Sequence, residues 1–391
     1  MLRYLPFLLL FVACEPSFDA NTFRARTQVL GTVAKIGRMA LDSLAPTETA
    51  GLPYAVNAAG EALTSQLLYN DGGWTDLLVD AGQLEDVAGI EYIGPVDYPT
   101  FPDADRAQVY LGKRLAKGKY ESITEEVRPT NHVAMQKGPD YLYQGEGPIW
   151  ENDLVGFRTY FDSRNGYDIF GKTTDRFVAH EITVKGNYHE LLDWGMDVLK
   201  VGNSYGAGAL GLYVDDILRQ LGDATQETFA VTEDGPLLAS FRITFTGLED
   251  FSGLTVVRDV TILQGLPGYL AENTLSGGNG ETMATGIVTL NEHTDLTHEN
   301  GNLRINATHG PQAELGKYLG MAVVTTTPVV TGKTPDKDAP VTTTNFVRSS
   351  GDRASFNYLF LAGWELQDEA YTDEATFLQR ARDWATAYAN W

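Results

Sequence analysis

The sequence predicts an all-β protein, a large antiparallel β-sandwich, and three observations carry that expectation. From Leu52 onward, short segments rich in Val, Ile, Tyr and Thr are broken by Gly, Asp and Pro roughly every ten residues. Four longer segments, PLLASFRITFTGL (236–248), GLTVVRDVTILQG (253–265), GYLAENTL (268–275) and GMAVVTTTPVV (320–330), alternate apolar and polar side chains as half-buried strands do. No helices alternate with these strands, which disfavours a parallel α/β arrangement, and no fixed-period repeat points to a propeller or solenoid.

Taken in order, residues 1–13 read as a lipoprotein signal peptide. Arg3 supplies a positive start, Tyr4 to Ala13 form an apolar run, and Cys14 follows a small residue. The run is shorter than the about 20 apolar residues that a spanning helix needs. Phe11-Val12-Ala13-Cys14 therefore reads as a lipobox with Cys14 lipidated, which places the protein in the bacterial cell envelope and lets it meet the membrane through the lipid anchor only. Cys14 is the only cysteine, so neither an intramolecular disulfide, a thiolate zinc cluster nor a cysteine nucleophile is expected in the mature fold.

Residues 14–50 are expected to form a short tether or helix, because Val29, Val33, Ile36 and Leu44 recur near helical spacing before Pro46. An N-terminal β block follows over 51–125. The charged, Pro-interrupted stretch KGKYESITEEVRPTNH (117–132) separates it from a main sandwich over 126–391. Residues 331–340 read as an exposed loop. After Thr372, Phe377, Ala381, Trp384 and Tyr388 share one face of a closing C-terminal helix.

The formal charge of −23, from 52 acidic against 29 basic residues, excludes nucleic acid as a partner, since phosphate binding needs a basic face. An anionic ligand would need a local basic pocket to overcome that field. Six histidines occur, but none lies in an HExxH pattern, and His293 and His298 are spaced i, i+5, a poor match to one helix face. No metal and no cofactor is expected.

Functional density concentrates in residues 146–211, where charged and aromatic residues interleave with glycines. Arg158 lies in an alternating run in which Phe157 faces the other way. Arg164 precedes Asn165-Gly166, whose turn chemistry presents it at a strand end. Tyr188 and His189 set two proton carriers side by side. Trp150 beside Glu151, and Trp194 beside Asp193, place a flat ring next to a hydrogen-bonding carboxylate, as sugar recognition requires. The glycines of Gly206-Ala207-Gly208 fit close backbone packing better than phosphate binding.

The motifs GPIWENDLVGFRTYFDSRNGYDIFGK (147–172), WGMDVLKVGNSYGAGALGLY (194–213), THGPQAELGKYLGMAVV (308–324) and YLFLAGWELQDEAYTDEATF (358–377) resemble the bacterial family of unknown function numbered 4861, in order and spacing over most of residues 52–380. The chain departs from the family pattern at Asn152, His309 and Pro311. The resemblance implies an exported protein or lipoprotein of polysaccharide-degrading bacteria, with a large β-sandwich of the galactose mutarotase type, a supersandwich. It further implies an activity like that of an ulvan oligosaccharide dehydratase, giving an unsaturated uronate by β-elimination. A lyase acting by the same chemistry, a non-catalytic glycan-binding lipoprotein and a mutarotase-like protein are the alternatives. On that reading the partner is an anionic oligosaccharide. Arg164 clamps its carboxylate with help from Arg158 or Lys200, His189 is the base, and Tyr188 or Tyr205 is the acid.

Overall fold

The computed structural model describes residues 18–44, 51–129, 141–248, 251, 253–351 and 353–391. Cys14, the signal sequence and His132 lie outside the described residues. The chain divides into two compact units, one of residues up to 27 with 35–100, the other of residues 28–34 with 101–391. The described part of the charged stretch, residues 117–129, thus falls inside the second unit.

In the first unit, Asp19 caps the helix Ala20–Arg26 by accepting hydrogen bonds from the amides of Asn21 and Thr22 at 3.1 and 3.2 Å. The strands Ser65–Asn70 and Gly73–Asp80 form a hairpin, and Leu52–Val56 pairs with Gly89–Ile93. Phe23, Ile36, Leu41, Leu67, Trp74 and Leu77 form their core. The short tether or helix expected over residues 14–50 is helical only in part among the described residues. Only Ala20–Arg26 and Arg38–Asp42 are helical, and the strand Val33–Gly37 lies between them. Val33 and Ile36 are β-branched, and the buried Phe23, Ile36 and Leu41 commit the segment to a core.

The second unit is the expected antiparallel sandwich. Its largest sheet has nine strands in the order 125–127, 226–234, 238–246, 255–263, 268–276, 358–364, 319–325, 303–310 and 294–300, all paired antiparallel. Alternation is read out directly in Thr255–Leu263, where Val256, Arg258, Val260 and Ile262 point inward and the residues between them are half-buried. A second sheet has five strands: β1 (Ala107–Tyr110), β2 (Ile149–Asn152), β3 (Val155–Thr159), β4 (Tyr167–Lys172) and β5 (Gly195–Asp197), hydrogen-bonded in that spatial order. A third comprises Ile217–Gln220, Gly211–Val214, Thr282–Val288, Thr344–Ser349 and Val329–Lys333. Residues 329–333, expected as part of a strand and then an exposed loop, pair along Thr344–Ser349. The C-terminal helix runs Glu374–Ala389 and buries Phe377, Ala381 and Ala385.

The β1–β5 sheet packs its inner face on the nine-stranded one through aromatic rings. Trp150 lies 5.2 Å from Phe241 and 5.4 Å from Tyr269, and Phe157 lies 4.9 Å from Tyr269 and 6.0 Å from Phe360, centroid to centroid. The outer face is buried too. Residues 173–194 cover it, with Val178, Ala179, Ile182, Tyr188 and Trp194 packing on Ile149 and Phe170. Every residue of β2, β3 and β4 is therefore buried. Gly208 lets the backbone approach the core: its carbonyl accepts from Tyr358 Oη at 2.6 Å, Tyr269 Oη at 3.1 Å and the buried Arg258 Nη2 at 3.1 Å. The close-packing role expected for this glycine-rich stretch is met there.

Candidate active site

The outer face of the five-stranded sheet is a row of charges under a loop. Strand register places Arg158 of β3 opposite Asp168 of β4, and Phe170, on the same face as Asp168, opposite Asp197 of β5. Arg158 is 1% exposed. Its Nη2 donates to Asp168 Oδ2 at 2.6 Å, to Tyr160 Oη at 2.9 Å and to Asp197 Oδ2 at 3.1 Å, and its Nε donates to Asp168 at 3.2 Å. Nη1 reaches the Gly145 carbonyl at 3.3 Å, the Tyr188 hydroxyl at 3.4 Å and Glu146 Oε2 at 3.4 Å. Burial and the neighbouring Asp197 push the Asp168 carboxyl up to about 7, against the pull of Arg158.

Tyr188 and His189 reach this row through local chemistry. Asn187 opens a turn, its Oδ1 accepting from the His189 amide at 3.2 Å and its carbonyl from the Glu190 amide at 2.9 Å. The Asp197 amide donates to the Tyr188 carbonyl at 2.8 Å, which sets the two residues beside the end of β5. His189 Nδ1 lies 3.3 Å from Asp197 Oδ2, and the imidazole side chain is 61% exposed. The Asp197 hydrogen bond raises the His189 pKa above its ordinary value. The Tyr188 ring lies 4.2 Å from the imidazole. Burial raises the Tyr188 phenol, so it holds its proton.

Arg164 forms the outer edge of the cluster. The turn of Asp162 to Asn165 has Asn165 at φ 43°, and the Asp162 side chain accepts from the Arg164 amide at 2.8 Å. The guanidinium sits 3.8 Å above the Tyr160 ring, whose other neighbour is the Arg158 guanidinium at 4.6 Å. Arg164 Nη2 donates to Asp162 Oδ2 at 2.6 Å and to Glu146 Oε1 at 3.0 Å.

Of the residues expected from the sequence, Arg158, Arg164, Tyr188 and His189 come together here. Four others are corrected to structural positions. Trp150 is fully buried between the sheets, and Trp194 is 1% exposed against Phe170, so neither ring can stack on a sugar. Glu151 is 0% exposed, and its carboxylate is filled by Lys172 Nζ at 2.8 Å, Gln108 Nε2 at 2.6 Å and the amides of Val178 and Ala179 at 2.8 and 2.7 Å. Tyr205 is fully buried and donates to the Arg219 carbonyl at 3.0 Å. Arg158 changes role as well: saturated and buried, it can position its neighbours but cannot clamp a ligand. Lys200 is exposed just beyond β5.

Sequence reasoning missed Glu146, Tyr160 and Asp162, and it missed the pairing of Asp197 with His189. The Asn165-Gly166 turn was the available signal for one pair: folding a hairpin about it sets Arg158 against Asp168. Among the described residues no group of His, Cys, Asp and Glu has the geometry to hold a metal ion.

No curated protein matches the sequence. Among solved structures, the chain is similar to a glycosyl hydrolase family 38 protein from Enterococcus faecalis, at 8% identity and a TM-score of 0.36, covering 95% of this chain and 48% of that one. It is also similar to an alpha-mannosidase from Enterococcus faecalis V583, at 9% identity and a TM-score of 0.38, covering 92% and 44%. A third likeness is to a protein assigned as an aldose 1-epimerase from Klebsiella pneumoniae, at 9% identity and a TM-score of 0.34, covering 71% and 95%. The chain spans about half the length of the two Enterococcus proteins. Residues 33–390 match the family described as a domain of unknown function, DUF4861, and the chain belongs to that family.

Proposed function

We propose that this protein is a carbohydrate-active enzyme that performs β-elimination on uronate-bearing oligosaccharides, with His189 moving the proton. The observation that carries the reading is a largely exposed imidazole whose Nδ1 is held at 3.3 Å by the buried Asp197 carboxylate. Such a pair fixes the ring's orientation and leaves Nε2 to meet a ligand.

Elimination requires a cation for the uronate carboxylate, a base for the proton on carbon 5 and an acid for the group leaving carbon 4. Neutral His189 is the base in this proposal. Tyr188, protonated and in ring contact with His189, is the acid. Arg164, half-exposed at the edge of the cluster, is the cation, and it stabilises the enediolate as charge develops. Arg158 is a positioning residue that holds Asp197 and Tyr188 in place. A departing water makes the enzyme a dehydratase, and a departing sugar makes it a lyase.

The test is incubation of the purified protein with uronate oligosaccharides while following the ultraviolet absorbance of a new conjugated double bond. Its appearance, and its loss in His189→Ala, is the expected result. Oligosaccharide binding with no unsaturated product would instead favour a glycan-binding protein. Anchoring through Cys14 belongs to the same proposal: Cys14→Ser should move the protein from the membrane fraction to the soluble one or leave it uncleaved, and unchanged fractionation would refute lipidation.

A further inference from the structure

The C-terminal helix carries more aromatic surface than its packing uses. The sequence sets Phe377, Ala381, Trp384 and Tyr388 on its docking face, but the residues it buries are Phe377, Ala381 and Ala385. Spaced at i, i+4 and i+8, these three turn the helix so that Trp384 falls on its flank and stays half-buried. There the indole, with Arg380 and Asp383 of the same helix, lines a cleft of about 500 Å³. The lining also includes Val29, an apolar side chain left 41% exposed. That volume lies within the roughly 300–1,000 Å³ of small-molecule sites.

The polar groups of the cleft decide what it can hold. Asp368 and Arg380 line it as a fixed, mutually neutralised pair: Arg380 Nη1 donates to Asp368 Oδ2 at 2.7 Å, and the Ala370 amide donates to Asp368 Oδ1 at 3.0 Å. Asp383 accepts from Gln379 Nε2 at 2.9 Å and has no cation paired with it among the described residues, so its charge is left over. The lining is therefore net negative, which disfavours a carboxylate or phosphate ligand. Two lining groups are uncommitted: among the described residues, neither the Gln367 side-chain amide nor the Trp384 indole N–H has a hydrogen-bond partner. An amide offers two donors and an acceptor oxygen, which match a row of hydroxyls. The negative face of an indole attracts the C–H groups on the flat side of a sugar ring.

We infer that this cleft is a second glycan-binding site, one that takes a neutral pyranose: Trp384 stacks on the ring, Gln367 hydrogen-bonds its hydroxyls, and the charge of Asp383 turns acidic sugars away. The inference does not depend on the elimination reading, because it concerns binding at residues that the His189 site does not use. Its preference is also the opposite one. The His189 site is proposed to receive an acidic sugar, and the helix cleft receives a neutral one.

The test is titration of the full chain with methyl β-glucoside, methyl β-xyloside and, separately, glucuronate, each followed by saturation-transfer NMR. At least one neutral glycoside should bind, with transfer strongest to the protons of its stacked face. Trp384→Ala should weaken that binding about tenfold or more. Gln367→Ala should weaken it about two- to tenfold, as loss of one hydrogen bond does. The Gln367 side chain bonds to nothing in the described fold, so this second variant keeps the test valid where Trp384→Ala does not fold. Any glucuronate binding should be the same in the variants as in the unaltered protein. Neutral glycosides that fail to bind, or bind equally to the folded variants, overturn the inference, as does a loss of glucuronate affinity equal to the loss for the neutral sugar. Neutral-sugar binding that depends on Trp384, in a protein that forms no unsaturated product, upholds the cleft and counts against elimination alone.

Discussion

At the scale of single residues, the proposed chemistry turns on which ionised form each group holds. His189 is protonated to a higher pH than a free imidazole, because Asp197 accepts its hydrogen bond. A base must be neutral, so turnover should fall as pH drops through this raised value. Asp197→Asn removes the charge that raises it, and the acidic limb of the rate profile should then move to lower pH. An unmoved limb would show that another group titrates. His189→Ala should reduce turnover by about 10²-fold or more with binding largely kept, as loss of a positioned proton carrier does. Arg164→Lys keeps the charge but loses the planar fork that Asp162 and Glu146 both grip, so kcat/KM on a uronate should fall by about tenfold or more, roughly 1.4 kcal/mol per factor of ten. Near-normal kinetics would take Arg164 out of the site.

At the scale of strands, β5 has one job that a single glycine makes possible. Gly195 opens β5 at φ 125°, and a Cβ there would stand 1.8 Å from the Gly171 carbonyl of β4. Gly195→Ala must push β5 off its neighbour and carry Asp197 away from His189. A Gly→Ala change that suits its backbone stabilises by about 0.4–1 kcal/mol, whereas this one, at positive φ against a carbonyl, should destabilise the fold by more than that, and thermal unfolding would record the loss. A variant with the original unfolding temperature would mean that β5 can shift freely. Such strands also mark what could be read from the chain. Thr255–Leu263 alternates because only one of its faces is deeply buried, and there the pattern predicted the strand and its inward side chains. In β3 the same rule set Arg158 and Phe157 on opposite faces but did not reveal that the segment 173–194 covers the Arg158 side. Alternation tells one face from the other and cannot say what lies on each. The pairing of His189 with Asp197 depends on a turn and on the main-chain hydrogen bond from Asp197 to Tyr188, formed after the chain folds back, and no local spacing encodes it. Tryptophans beside carboxylates were misread for a related reason, since a buried glutamate that is fully hydrogen-bonded looks the same in sequence as an exposed one.

At the scale of the whole molecule, two consequences follow from how much charge and aromatic surface is buried. Trp150 joins the β1–β5 sheet to the nine-stranded one, in contact with Phe157, Tyr167, Phe241 and Tyr269. Trp150→Ala should therefore lower stability by about 3–5 kcal/mol, measured by denaturant unfolding; a much smaller change would mean the sheets close over the gap. Buried carboxylates also give stability a pH dependence. Asp168, pushed up to about 7 from 3.8, and Glu227, which lies in the strand Gln226–Asp234 beside Arg128 and is pushed up by burial to about 8 from 4.5, keep protons in the folded state that the unfolded chain releases. The folded state binds more protons between those limits, so stability should fall as pH rises from about 5 to about 8. Asp168→Asn should flatten the slope of unfolding temperature against pH, and an unchanged slope would place the buried proton elsewhere.

The cover over the charged row has one more property. Two of the four donors that satisfy Glu151 are main-chain amides of the covering segment, Val178 and Ala179, and a third is Lys172 beneath it. Lifting the segment must uncover an ion pair at the moment it releases an apolar seal, so no intermediate opening is available that frees one without the other. Deuterium should enter those two amides together and late, at the pace of the sheet beneath them, although they belong to a stretch with little regular structure.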